Sequence, residues 1–365
     1  MNIPDRILKP EERILFSLRA LYVQHGYVPY KMRKFESYDL YAGNKDFLPS
    51  EQVIAFTDTD GALLALKPDV TLSIVRSGRD EPGVAQKVYY QENVYRPSGQ
   101  GQGFREITQT GVECIGAVDE YCMAEVLMLA AESLRRISPR AVLHLSHMGL
   151  VRRLIRDAGL TAAQESRAVE ALSARSVHQL TALQAEAGLA DGALGPLIQL
   201  MRAPDDLQAA LAALPDTEES TALRRVVLAL RDTPAFGLLR LDFTTVNDLG
   251  YYNGLVFRGY VHGVPERVIA GGQYDPLLPK LGRSGGAIGF AVYLDTLERL
   301  QEPDGHPDAD ILLVYPGDAA PEAVLNAVSR LGADGATVCA QKTVPGRARF
   351  GRRVDLSESG VTSHG

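Results

Sequence analysis

With 365 residues, 45% of them hydrophobic, the chain is long enough for two or three domains and is neither disordered nor fibrous in composition. A net charge of −7 and the absence of tryptophan describe a mildly acidic surface, which opposes general attraction to a polyphosphate backbone and weighs against nucleic acid as a partner. No uninterrupted apolar run reaches the length of a membrane span and charge begins at Asp5, so the expectation is an unexported, cytoplasmic chain with no membrane partner.

The opening stretch from Lys9 to Gly26 places Leu15, Leu18, Leu21 and Val23 near helical spacing, and Pro10, Glu11 and Glu12 suit a first turn. Residues 26–43 then read as extended. A strand up to Lys67 follows, Pro68 breaks it, and a helix starts near Asp69 or Val70. There the oxygens of Asp69 and Thr71 are positioned to cap free backbone donors.

The stretch from Val88 to Gly116 reads as a long hairpin, with the turn residues of RPSGQGQG between two alternating runs. Period 2 puts Arg105, Ile107, Gln109, Gly111, Glu113 and Ile115 on one face of its second strand, and Phe104, Thr108, Val112 and Cys114 on the other. The first face thus carries a guanidinium, an amide and a carboxylate. Gly111 between Gln109 and Glu113 predicts a bulge or the close approach of a small polar ligand. An edge strand with a solvated polar face would show the same pattern.

A helix follows through Met123, Val126, Leu127, Leu129 and Leu134, then a strand, AVLHLSH. Residues 148–232 are nearly all helix formers, with breaks at Gly159, Gly188, Gly192 and Pro215, and read as a separately packed helical insertion. Strands resume over 237–263, and AGGQYDPLLPKLGRSGGAIGF follows, with neither GxGxxG nor Walker spacing. Beyond a linker come the apolar strand ADILLVYPG, a helix and a second strand, with the remainder expected to be a mobile tail. The fold class is therefore α+β: an antiparallel sheet contributed by 1–147 and 233–302, flanked by helices and split by the insertion 148–232, with a short α/β remnant and tail in 303–365. Cys114, Cys122 and Cys339 are widely spaced and lack metal-ligand intervals, so neither a disulfide nor a metal site is expected.

Three blocks together resemble the catalytic core of histidyl-tRNA synthetase, a class II aminoacyl-tRNA synthetase. They are LALKPDVT with Arg76; the hairpin with Arg96, Arg105, Gln109 and Glu113; and NDLGYYNG followed by AGGQYD and IGFAVYL. The resemblance implies an antiparallel sheet flanked by helices, usually in a dimer. Its departures matter. Asn247 stands where the family has the arginine that meets the amino-acid carboxylate, and Gly250 where it has an aspartate. Gln273 replaces the arginine of GGRYD, and Thr296 replaces an ATP-holding arginine, with Arg299 three residues later. The acidic residue expected after Arg96 is also missing. Losing one fixed charge on a reacting phosphate costs on the order of a hundredfold in rate.

By contrast, the positions that surround histidine in the family are kept: Asp69 in place of glutamate, Thr71, Gln109, Glu113, Tyr251 and Tyr252, with Arg96 and Arg105 as candidate anion contacts. No catalytic residue, cofactor or metal is expected. A chain that keeps an amino-acid pocket and loses ATP and RNA handling is similar to the regulatory subunits of ATP phosphoribosyltransferase. That likeness implies a non-catalytic partner for the short catalytic subunit in the first step of histidine biosynthesis, self-dimerisation and histidine as an effector. The alternative is an enzyme that activates or ligates an amino acid.

Overall fold

The computed structural model describes residues 8–44, 53–97, 103–245, 252–300, 307–346, 348–357 and 360–364. Helix α1 (Pro10–Gln24) buries Leu15, Leu18 and Leu21, but Val23 is 54% exposed because Tyr22 takes the core position beside it. Gly26, at φ +79°, lets the chain turn where the helix ends. The stretch expected to be extended holds β1 (Val28–Tyr30) and β2 (Phe35–Ser37) but then a helical turn, α2 (Tyr38–Ala42). Ser37 starts that turn by accepting from the Asp39 amide at 3.4 Å.

Strands β3 (Ile54–Thr57) and β4 (Leu63–Leu66) join β2 in a small sheet of order β2-β4-β3, and α3 (Thr71–Ser77) follows the break at Pro68. The hairpin is β5 (Ala85–Pro97) and β6 (Phe104–Gly116), paired without interruption from Ala85↔Gly116 to Pro97↔Phe104. Next come α4 (Glu120–Ile137) and β7 (Ala141–His147), as the periodicity predicts. Six helices occupy the insertion: α5 (Met148–Asp157), α6 (Ala162–Ser173), α7 (Val177–Glu186), α8 (Gly195–Met201), α9 (Leu207–Ala212) and α10 (Glu218–Leu228). They do not pack apart from the sheet, since Leu172, Leu180, Leu197 and Leu223 lie in one buried cluster with Leu143 and Phe257 of the sheet.

Strands β8 (Leu239–Leu241), β9 (Leu255–Val261) and β10 (Ile269–Gln273), the short α11 (Leu277–Lys280) and β11 (Gly286–Tyr293) complete this part. The large sheet has the order β1-β5-β6-β11-β10-β9-β7-β8. Its interior pairs are antiparallel, and only the end strands β1 and β8 join in parallel. One face carries α4, whose Val126, Leu127, Leu129 and Leu134 are fully buried, each contributing about 1.5–3 kcal/mol. Val112 and Cys114 of β6 join that cluster, whereas Ile115 faces a second one with Leu72, Ile74 and Tyr90. The alternation therefore sorts β6 as the sequence predicts.

The chain divides into two compact units, Met1–Leu300 and Gln301–Gly365. In the second, β12 (Ala309–Val314), α12 (Pro321–Leu331) and β13 (Val338–Gln341) match the expected remnant. The segment expected to be a mobile tail instead supplies β14 (Phe350–Ser357) and β15 (Gly360–His364), giving a sheet of order β13-β12-β14-β15. The reason is Val354, fully buried with Ile311, Leu313 and Ala327, which gives β14 an apolar anchor. Among the described residues no helix is long and apolar enough to cross a membrane.

Candidate functional site: a buried carboxyl over a glycine floor

Glu113 lies in the middle of the large sheet and is 2% exposed. Directly across from it on β11 is Gly289, and across from Gly289 on β10 is Gly272. A methyl group on Gly289 would sit 1.8 Å from Glu113 Oε2, and one on Gly272 would sit 2.7 Å from the Tyr252 ring. The two glycines are thus a floor on which the carboxyl and the phenol ring lie, which accounts for their place in AGGQYD and GGAIGF. Thr71 Oγ1 donates to Glu113 Oε1 at 2.8 Å from the first turn of α3, and the Tyr274 hydroxyl donates to Oε2.

Burial is the main force on this group: it pushes the Glu113 carboxyl up from 4.5 to about 8, against the two hydroxyl donors and with help from the nearby Asp69 charge. At neutral pH the site therefore holds a largely protonated carboxyl, able either to donate a hydrogen bond or to release its proton when a cation arrives. Burial also raises the Tyr252 phenol, with Glu113 and Asp69 among the charges that disfavour its ionisation. Asp69, Thr71, Glu113 and Tyr252 are thereby brought together. Gln109, 5% exposed, lies four residues before Glu113 on the same face. Tyr251, Asn247 and Gly250 lie outside the described residues, as does the side chain of Arg299.

Asp69 does cap a helix, accepting from the Leu72 amide at 3.0 Å, and burial raises its carboxyl while Arg96 pulls it back. Arg96 is turned onto the Pro68 carbonyl at 2.9 Å, one residue away from Asp69. Arg105 is exposed and bridges to Asp295 at 2.9 Å, beyond the buried part of the face. Gln273 Nε2 donates to Asp275 at 2.6 Å, and Thr296 Oγ1 to the Tyr293 carbonyl at 2.7 Å. Both are neutral groups engaged with their own surroundings.

Gly111 is neither a bulge nor an opening for a ligand. Its pairing with Tyr90 and Ala291 is unbroken, and a methyl group there would meet the Phe290 carbonyl oxygen at 2.0 Å and the Tyr90 hydroxyl at 2.8 Å. Tyr90, only 2% exposed, fills the space between Gln109 and Glu113. Sequence reasoning missed both Tyr90 and Tyr274. Tyr90 sits opposite Gly111 in the hairpin register, so an aromatic residue facing a glycine was the available signal; for Tyr274 only its place after the two glycines hinted at a role.

The histidyl-tRNA synthetase family model matches residues 4–297. The chain belongs to that family. Among curated relatives, the ATP phosphoribosyltransferase regulatory subunit of Clostridium kluyveri is 27% identical over 82% of this chain and 81% of its own length. A crystal structure of an ATP phosphoribosyltransferase regulatory subunit/histidyl-tRNA synthetase from Bacillus halodurans is 25% identical with a TM-score of 0.73, covering 91% of this chain and 88% of that one. The histidyl-tRNA synthetase of Nostoc shares the fold at a TM-score of 0.71 and 16% identity, covering 95% and 87%. The mostly antiparallel sheet flanked by helices is thus the class II synthetase fold.

Proposed function

We propose that the chain is a non-catalytic regulatory subunit that assembles with a catalytic ATP phosphoribosyltransferase subunit. In this reading it supports that partner in the first step of histidine biosynthesis and relays histidine to it as a feedback signal. The observation that carries the reading is the regulatory-subunit name borne by a relative matched across 82% of the chain. The site supports it from another side: the residues standing where the family has phosphate- and carboxylate-binding arginines include Gln273 and Thr296, both neutral and both engaged elsewhere.

Histidine is the proposed ligand of the glycine-floored pocket. Its ammonium group would meet Asp69 and Gln109, and its imidazole would exchange a hydrogen bond with Glu113 beside Tyr252, with Thr71 holding the carboxyl in place. A regulatory subunit without chemistry acts only through an interface and a difference in ligand affinity between two states, so a stable hetero-oligomer is required. A second copy of the chain is a further proposed partner, and the cytoplasm the proposed compartment. The family model's name favours a second reading, amino-acid activation. The isolated chain is expected to give no histidine-dependent pyrophosphate exchange and to elute together with the catalytic subunit on size-exclusion chromatography. Exchange above a heat-killed control, with separate elution, would overturn the regulatory reading in favour of activation.

A further inference from the structure

A cavity of about 370 Å³ opens on the face of the large sheet opposite Glu113, between α10, the start of α5 and the ends of β9 and β10. Gln273 lines it, and Gln273 follows Gly272 on β10, so the two positions point to opposite faces. Its apolar wall is Met123, Ala222, Leu223 and Val226. Its polar wall is rich in acceptors. Glu219 Oε2 is buried there with no donor, and Glu218 precedes it on the first turn of α10. The amide nitrogens of Asn253 and Gln273 each give one N–H to Asp275, at 2.9 and 2.6 Å, and the Asn253 oxygen accepts from the Asp275 amide at 3.1 Å. The Gln273 carbonyl oxygen leans over Gly254, where a methyl group would meet it at 2.0 Å.

His147 supplies the wall's donor. Burial pushes its imidazole down to about 4, so the ring is neutral, and Nδ1 accepts from the Leu150 amide at 3.1 Å, which leaves the proton on Nε2. Two arginines whose charge reaches these glutamates are each paired elsewhere: Arg153 with Asp157 at 2.8 and 3.0 Å, and Arg225 with Glu120 at 2.9 and 3.0 Å. Two carboxylates therefore face a cavity whose lining contains no lysine or arginine. A bare metal ion does not fit, because among the described residues no group of three or more His, Cys, Asp and Glu side chains is gathered.

We propose that this cavity is a second ligand site, taking a small organic ammonium ion with a short apolar body: the charge against Glu219 and Glu218, the hydrocarbon along α10. The proposal is independent of the regulatory reading, since it rests on the other face of the sheet. Glu219 is half-buried, with its Oε2 out of water. A carboxylate oxygen so placed without a donor is costly, and a cation that supplies the missing hydrogen bond relieves that cost while its apolar part covers Leu223 and Val226.

The test is calorimetric titration of the full chain with phenethylamine, and with 2-phenylethanol as its neutral counterpart. The amine is expected to bind at least about tenfold more tightly than the alcohol. Glu219→Gln should bring the amine down to the level of the alcohol, and Ala222→Leu, which fills the apolar wall within a helix, should abolish binding of both. Glu113→Gln should leave amine binding unchanged. Equal affinity for amine and alcohol in the wild-type chain overturns the proposal without recourse to any variant. So does amine binding that survives Glu219→Gln or disappears in Glu113→Gln.

Discussion

Replacing Glu113 with glutamine exposes how much stability the glycine-floored carboxyl withholds from the fold. A carboxyl carried from 4.5 to about 8 leaves the folded state holding an extra proton across that interval. Its favourable contribution is fully present below pH 4.5 and is lost as the pH climbs through 8. At about 1.4 kcal/mol per pH unit, ionisation removes roughly 5 kcal/mol of stability. Glutamine keeps the size, and the hydroxyls of Thr71 and Tyr274 can turn to suit an amide, so the variant should fold. Urea denaturation followed by circular dichroism at pH 5, 6, 7, 8 and 9 measures the difference between wild type and variant, in which groups such as His147 largely cancel. The variant should gain on the wild type steadily from pH 5 to 8 and no further above it. A difference that stays constant across the series refutes the reasoning, because Glu113 would then titrate as an ordinary exposed carboxyl.

Three other substitutions probe the same architecture. Gly289→Ala places a methyl 1.8 Å from Glu113 Oε2 and 2.5 Å from the Val112 carbonyl oxygen, so a loss of about 1–3 kcal/mol of unfolding free energy, read as a lower urea midpoint, and weaker histidine binding by calorimetry are expected; an unchanged midpoint would contradict the close fit. Arg105→Ala removes an exposed bridge to Asp295 and should cost at most about 1 kcal/mol, with histidine affinity unchanged. Leu172→Ala should cost about 2–5 kcal/mol and lower amide protection in α6 and β7 together, since both contribute to one core; protection lost in the helices alone would show that they pack separately.

Legibility in the sequence followed the strength of local periodicity. The hairpin, α1, α4 and β7 were readable because alternation or a helical stripe ran long enough to fix type and face. Val23 was misassigned because two neighbouring residues compete for one stripe position and only packing selects Tyr22. The strands β14 and β15 went unread because their polar composition, with Arg352, Arg353 and Asp355, hides a single buried Val354. At the site, Thr71 and Glu113 were readable as types in a pattern, but the bond between them spans 42 residues of sequence. The depth of Glu113's burial and the hydroxyl of Tyr274 depend on strands brought together from distant parts of the chain, which no local window contains.

The most direct test of the regulatory account is the rate of phosphoribosyl transfer from a short catalytic subunit, measured with and without this chain and across a histidine titration. The account predicts little transfer by either protein alone, strong transfer by the mixture, and inhibition by histidine that needs a higher concentration when the mixture carries Glu113→Gln. A catalytic subunit that is equally active without the chain would contradict the account.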